Sequence, residues 1–136
     1  MKFLERAIYT KRPIMNHKVI EMNAIEASKI ISDEYATRIL VATLRRPKSA
    51  IALSRDLGIP IAACYRRIKM LEEADLVRCV ERVLTQKGKR MSVYTSNLKN
   101  AFIHFENGNL RVQFEMKSGA IEEYGGKIEL VSEIIA

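Results

Sequence analysis

The side chains best suited to chemistry in this 136-residue chain are cationic and cluster between positions 60 and 90. At about 100° per residue on a helix, Ile61, Cys64, Ile68 and Leu71 fall within an arc of about 80°, while Ala62, Arg66 and Lys69 point the other way. One face is core and the other is exposed and basic. Arg66 carries the fork that matches guanine O6 and N7 in a major groove, and the small Ala62 and Ala63 let the backbone approach closely. Tyr65 lies at the boundary of the two faces, where it either meets a phosphate or thymine methyl or packs its ring over the preceding helix. Arg67 and Lys69 are expected on phosphates, which give affinity and orientation rather than sequence readout. Ser49, at the start of the preceding helix, offers a hydroxyl beside free N–H groups, an arrangement suited to an anion. Lys87, Lys89 and Arg90 follow in a short polar turn, the right charge for a loop against a duplex backbone or minor groove.

These residues need elements to hold them. Ser32 reads as an N-cap with Asp33 and Glu34 in the first turn, opening a helix of about 33–45 with Tyr35, Ile39, Leu40 and Leu44 on its apolar stripe. Ser49 caps a second helix, about 50–57, stopped by Gly58. Pro60 suits the first position of a third helix, about 60–74. Only Gly58 and Ile59 separate the last two, so the pair reads as a helix-turn-helix. The β-branched run from Leu76 to Leu84 and the segment Met91 to Thr95 flank Gln86–Arg90 as a hairpin with three positive charges at its tip.

A second hairpin is signalled by Asn107-Gly108, which tolerate the positive φ of a type I′ turn. The register it implies pairs Phe105 with Leu110, Ile103 with Val112 and Ala101 with Phe114 on an apolar face, and His104 with Arg111 and Phe102 with Gln113 on the other. That apolar face offers either a symmetric contact between copies or packing onto its own domain. Before the first strong helix, Ile20, Ala24, Ala27 and Ile31 recur at helical spacing, suggesting a short helix within 18–31, while residues 1–18 and 117–136 carry no assignment.

Composition narrows the function classes. Lys+Arg 23 against Asp+Glu 16 gives a net charge of +7. By segment the sums are +3 over residues 1–31, +7 over 32–100 and −3 over 101–136, so the positive charge sits in the middle of the chain and suits a polyanion there. The two cysteines, Cys64 and Cys79, are flanked by apolar residues and read as buried packing groups in a reducing, cytoplasmic setting. No apolar run reaches the ~18 residues of a membrane span. His17 and His104 are far apart and no ligand pair has metal spacing. There is no nucleophile motif, phosphate-binding glycine loop or internal repeat, and Glu72 and Glu73 are adjacent and point apart, so neither catalysis nor a metal, cofactor or small-molecule ligand is expected.

The strings ISDEYATRIL, PKSAIALSRDLGIP, YRRIKMLEEADLV and VYTSNLKNAFIHFENGNLRVQFE together resemble winged helix-turn-helix transcription regulators of the ArsR-like kind, in particular the archaeal members. The resemblance spans about residues 30–116. It implies an α+β fold, a winged helix-turn-helix over 32–98 followed by a β-hairpin over 99–116, with 1–31 as an N-terminal extension and 117–136 as a tail. It further implies double-stranded DNA as partner and a homodimer on near-palindromic sites, with 1–31 or the apolar hairpin face supplying the symmetric contact. Where relatives carry polar side chains at the start of the recognition helix, this chain has Pro60-Ile61-Ala62-Ala63, which moves base reading onto Arg66, Tyr65 and DNA shape. Asp75 fills a turn position often held by glycine. The rival reading is a winged-helix module serving a protein or RNA complex.

Overall fold

The computed structural model describes residues 22–125, so readings that fall on 1–21, Ile20 among them, and on 126–136 lie outside the described residues. The elements are α1 (Ala24–Ser32), α2 (Glu34–Ala42), β1 (Lys48–Ser49), α3 (Ala50–Leu57), α4 (Ile61–Glu73), β2 (Val77–Leu84), β3 (Arg90–Ser96), β4 (Leu98–Glu106), β5 (Asn109–Met116) and β6 (Ile121–Tyr124). They form an α+β architecture of helices with a small sheet ordered β1-β3-β2, then a second antiparallel sheet ordered β4-β5-β6.

Helix starts follow side-chain chemistry, with two corrections to the expected caps. Asn23 and Glu26 close a reciprocal capping box on α1. Ser32 is not the N-cap of the next helix: it closes α1 and its hydroxyl donates to the Ser28 carbonyl at 2.8 Å. Asp33 takes the cap instead and accepts from the Ala36 N–H at 2.8 Å. A carboxylate beside the helix dipole is the stronger competitor for that place. The helix also stops earlier than expected, at Ala42, because Thr43 turns inward. Its buried hydroxyl donates to the Ile39 carbonyl at 2.8 Å, and its own carbonyl accepts from Ser96 N–H at 3.0 Å, joining α2 to β3. Ser49 caps α3 as expected, and Gly58, at φ 68°, ends it in the left-handed conformation that costs glycine least. Pro60 stands one place outside α4, as N-cap rather than first helical residue.

The core is continuous across both sheets. Ala24, Ala27 and Ile30 of α1 are buried with Ile39 and Leu40 of α2, Leu53 of α3, Cys64, Ile68 and Leu71 of α4, and Val112, Phe114 and Met116 of β5. One face of α1, through Ala24, Ala27 and Ile30, thus joins this core. Asn97 pins the two sheets together: its N–H donates to Leu76 at 2.8 Å, its side-chain amide to the Asp75 carbonyl at 3.0 Å, and its carbonyl accepts from Lys117 at 2.7 Å. Asp75 sits at φ 63°, the positive value expected of its turn.

The register implied by Asn107-Gly108 is the one observed, with Phe105↔Leu110, Ile103↔Val112, Ala101↔Phe114, His104↔Arg111 and Phe102↔Gln113. The two strands meet different fates. Val112 and Phe114 are fully buried, whereas Ile103 and Phe105 remain 47% and 71% exposed. The expected two-stranded hairpin is also larger: Ile121–Tyr124, from the segment left without assignment, adds a third strand to β5. Buried Tyr124 packs edge-on against Phe114, a burial that alternation alone did not reveal.

Candidate nucleic-acid interface

Helix α4 lies with one side in the core and the other in solvent. Ala62, Tyr65, Arg66 and Lys69 are all exposed, on the side facing away from buried Cys64, Ile68 and Leu71. Among the described residues Arg66 has no hydrogen-bond or ion-pair partner, so its guanidinium is available to a ligand. A groove of about 610 Å³ separates this helix and the start of α3 from the β2–β3 hairpin, and Ser49, Ile51, Tyr65, Lys87, Lys89 and Arg90 are among its walls. The hairpin tip is held by Thr85, whose N–H donates to the Lys89 carbonyl at 2.7 Å and whose carbonyl accepts from Gly88 N–H at 2.9 Å. That tight turn leaves Lys87, Lys89 and Arg90 projecting outward, all exposed. A cationic loop and an arginine-bearing helix therefore border one concave surface, which suits the curved, regularly spaced charge of a duplex backbone.

Three of the expected site residues are placed otherwise. Ala63 is only 6% exposed and packs in the core, so it has no surface to offer a partner. Ser49 is buried, and its hydroxyl accepts from the Ala52 N–H at 3.1 Å, which commits that oxygen to the cap. Arg67 does not reach outward. Its Nε donates to both Asp33 oxygens at 3.0 Å, and its guanidinium lies over the Tyr35 ring at 5.6 Å. The sequence showed a basic residue beside Arg66, but the carboxylate that claims it lies 34 residues away.

This pair locks α4 to the start of α2 and has a pH signature. Burial alone would raise the Asp33 pKa, but the Arg67 hydrogen bond, the Ala36 N–H and the guanidinium charge outweigh it and hold the carboxyl below its usual range. A depressed folded-state pKa adds stability that is complete above the ordinary carboxylate range and is lost as the pH falls through the depressed value. Asp33→Ala removes both cap and ion pair and is expected to cost about 1 to 2 kcal/mol at neutral pH. In urea titrations the gap to the parent protein should narrow in acid, and a gap independent of pH would assign the loss to the cap's packing alone.

Sequence reasoning missed an apolar component. Ile61, read as a core position, is 42% exposed, and Ile51 of α3 is 55% exposed, near Tyr65, itself 51% exposed. Which flank of a helix a neighbour covers is set by crossing geometry, so periodicity could not assign these two. At the far end of α4, Glu72 and Glu73 are exposed, with Glu72 raised by burial and by its neighbour's charge. Two carboxylates there disfavour a phosphate at that end of the helix. Cys64 has no exposed surface, its thiol pKa is raised by burial, and its Sγ lies 3.5 Å from the Ala50 carbonyl, as a packing residue requires. Among the described residues no cluster of His, Cys, Asp or Glu is arranged to hold a metal ion. No helix among them is long and apolar enough to cross a membrane.

No curated protein matches the chain. Residues 31–80, from the end of α1 into β2, match the family model described as a helix-turn-helix domain. The match covers the segment that holds α3, the Gly58 turn and α4, and residues 31–80 form a helix-turn-helix domain similar to those of ArsR-like DNA-binding transcription regulators.

Proposed function

We propose that this protein is a cytoplasmic, dimeric transcription regulator that places the first two turns of α4 in the major groove of double-stranded DNA. The single observation that carries the reading is that Tyr65 of α4 faces Lys87, Lys89 and Arg90 of the hairpin across one groove, with Arg66 exposed on the same helix beside Tyr65. Arg66 reads guanine, Ala62 and Tyr65 give apolar contact to base edges, Lys69 holds a phosphate, and the hairpin lies on the flanking backbone or minor groove. The free N–H groups at the start of α3, behind Ser49, suit a phosphate of the crossing strand. Residues 32–98 form the DNA-binding unit and the second sheet a separate functional element. No step of this function calls for a catalytic residue, a metal or a cofactor.

A titration of duplex DNA against ionic strength tests it. The logarithm of the binding constant should fall linearly with that of salt, by about 0.9 per neutralised phosphate. The triple variant Lys87→Ala, Lys89→Ala, Arg90→Ala should then flatten the slope by up to about 2.7 while leaving base preference intact. Absence of duplex binding at low salt would overturn the proposal. Exposed Ile51, Ile61 and Leu84 around the same face favour a second reading, docking of a protein or RNA in a larger complex. Preference for single-stranded RNA over duplex competitor would support the RNA form of it.

A further inference from the structure

We propose that two copies of this protein join edge to edge through β4, in antiparallel register centred on Ile103, with each Phe105 ring seated in a groove beside the other copy's Ala101. This names the interface of the homodimer proposed above and rests on that stoichiometry, not on DNA binding.

The backbone supplies the first argument. β4 is the terminal strand of its sheet, and among the described residues nothing pairs with its outer edge. Glu106 and Asn109 flank a two-residue turn with φ 49° and 79°, so they exchange both ladder hydrogen bonds, and so do His104 with Arg111 and Phe102 with Gln113. The alternation turns the N–H and C=O groups of Ala101, Ile103 and Phe105 toward the open side. Natural sheets protect such an edge with lysine, proline or a bulge. Here the bulge and Lys99 lie at the start of the strand, and Ala101–Phe105 carry no such protection.

The side chains supply the second. Ile103 and Phe105 share a face with buried Val112 and Phe114 yet remain 47% and 71% exposed. Next to Ala101 the same face opens into an apolar groove of about 230 Å³, walled by Ile31, Leu40, Val41, Leu44 and Leu98. Val41 is 68% exposed, unusual for an aliphatic residue beside a core. A two-fold axis perpendicular to the sheet pairs residues of like parity. Centred on Ile103, it sets Ile103 against Ile103, Phe105 against Ala101 and Phe102 against His104. The most exposed aromatic of each copy thereby meets the smallest side chain of the other, at the mouth of the groove. On the opposite face, each Phe102–His104 stack, with ring centroids 6.4 Å apart, lies beside its symmetry mate. Knob, hole and hydrogen-bonding edge are self-complementary in one register, which a different protein partner would satisfy only by coincidence.

Sedimentation of the full chain tests the proposal, with duplex binding followed on the same samples. A dimer is expected. Phe105→Asp and Val41→Asp, at positions too exposed to disturb folding, should each raise the dimer dissociation constant by about 30-fold or more, the scale of an interface hot spot. In a Cys79→Ser background, Ile103→Cys should form an intermolecular disulfide on mild oxidation, because paired α-carbons about 5.5 Å apart lie within disulfide reach. Lys99→Cys, off the axis, should not. A monomer at tens of micromolar, a dimer indifferent to Phe105→Asp, or an Ile103→Cys protein that stays unlinked would each overturn this interface. Loss of duplex binding at low salt by the dimeric parent would overturn the DNA reading instead and leave the interface standing.

Discussion

Phe114→Ala is expected to lower the unfolding free energy by about 3 to 5 kcal/mol, the usual cost of emptying a large aromatic site in a close-packed core. Phe114 has no exposed surface, meets Tyr124 edge-on with ring centroids 5.6 Å apart, and belongs to the same buried cluster as Ala27 of α1 and Ile39 of α2. Total stability of a domain this size is about 5 to 15 kcal/mol, so the variant should sit near the edge of folding at physiological temperature. Urea unfolding followed by far-ultraviolet circular dichroism checks it. One cooperative transition with a lowered midpoint is expected, because α1 couples the second sheet to the helices. Two separated transitions, only the weaker one shifted, would mean that the sheet folds as an independent unit.

For Arg66→Ala the expected effect is on binding rather than folding. The side chain is exposed and makes no hydrogen bond or ion pair among the described residues, so its removal should leave stability nearly unchanged. A bidentate arginine–guanine contact is worth about 1 to 3 kcal/mol of discrimination, or about 5- to 150-fold in affinity for a preferred duplex. Duplexes selected from a random pool, re-measured with the variant, should lose preference at one base pair per half-site and little elsewhere. A uniform loss on every duplex, with a flatter salt dependence, would make Arg66 a phosphate contact. The parallel change at Arg67 separates the two neighbours, since breaking its bond to Asp33 should reduce stability.

The contrast between these adjacent arginines shows how far a linear reading reaches. Periodicity put both on or near the exposed side of one helix, and charge counting treated them alike. Tertiary structure brought Asp33 and Tyr35 to one and, among the described residues, no hydrogen-bond or ion-pair partner to the other. Likewise, Asn107-Gly108 set the pairing of β4 with β5 residue for residue, because a two-residue turn admits one register. It carried no information on which strand would be covered. The strand of Ile121–Tyr124 went unrecognised because four residues give alternation too short a span to register, and its burial depends on Phe114 across the sheet.

What the chain determined locally was the helix-turn-helix, through Ser49, Gly58 and Pro60, together with the basic hairpin and the register of the Asn107-Gly108 hairpin. Each rests on interactions within a few residues: a cap, a left-handed glycine, a turn of fixed length. Only the folded molecule decided which cations stay free, that Ala24, Ala27 and Ile30 belong to the core, and that Ile51, Ile61, Ile103 and Phe105 remain in solvent. Those outcomes turn on which surfaces meet across distances of tens of residues, where burial of one apolar stripe excludes another and no local spacing records the choice.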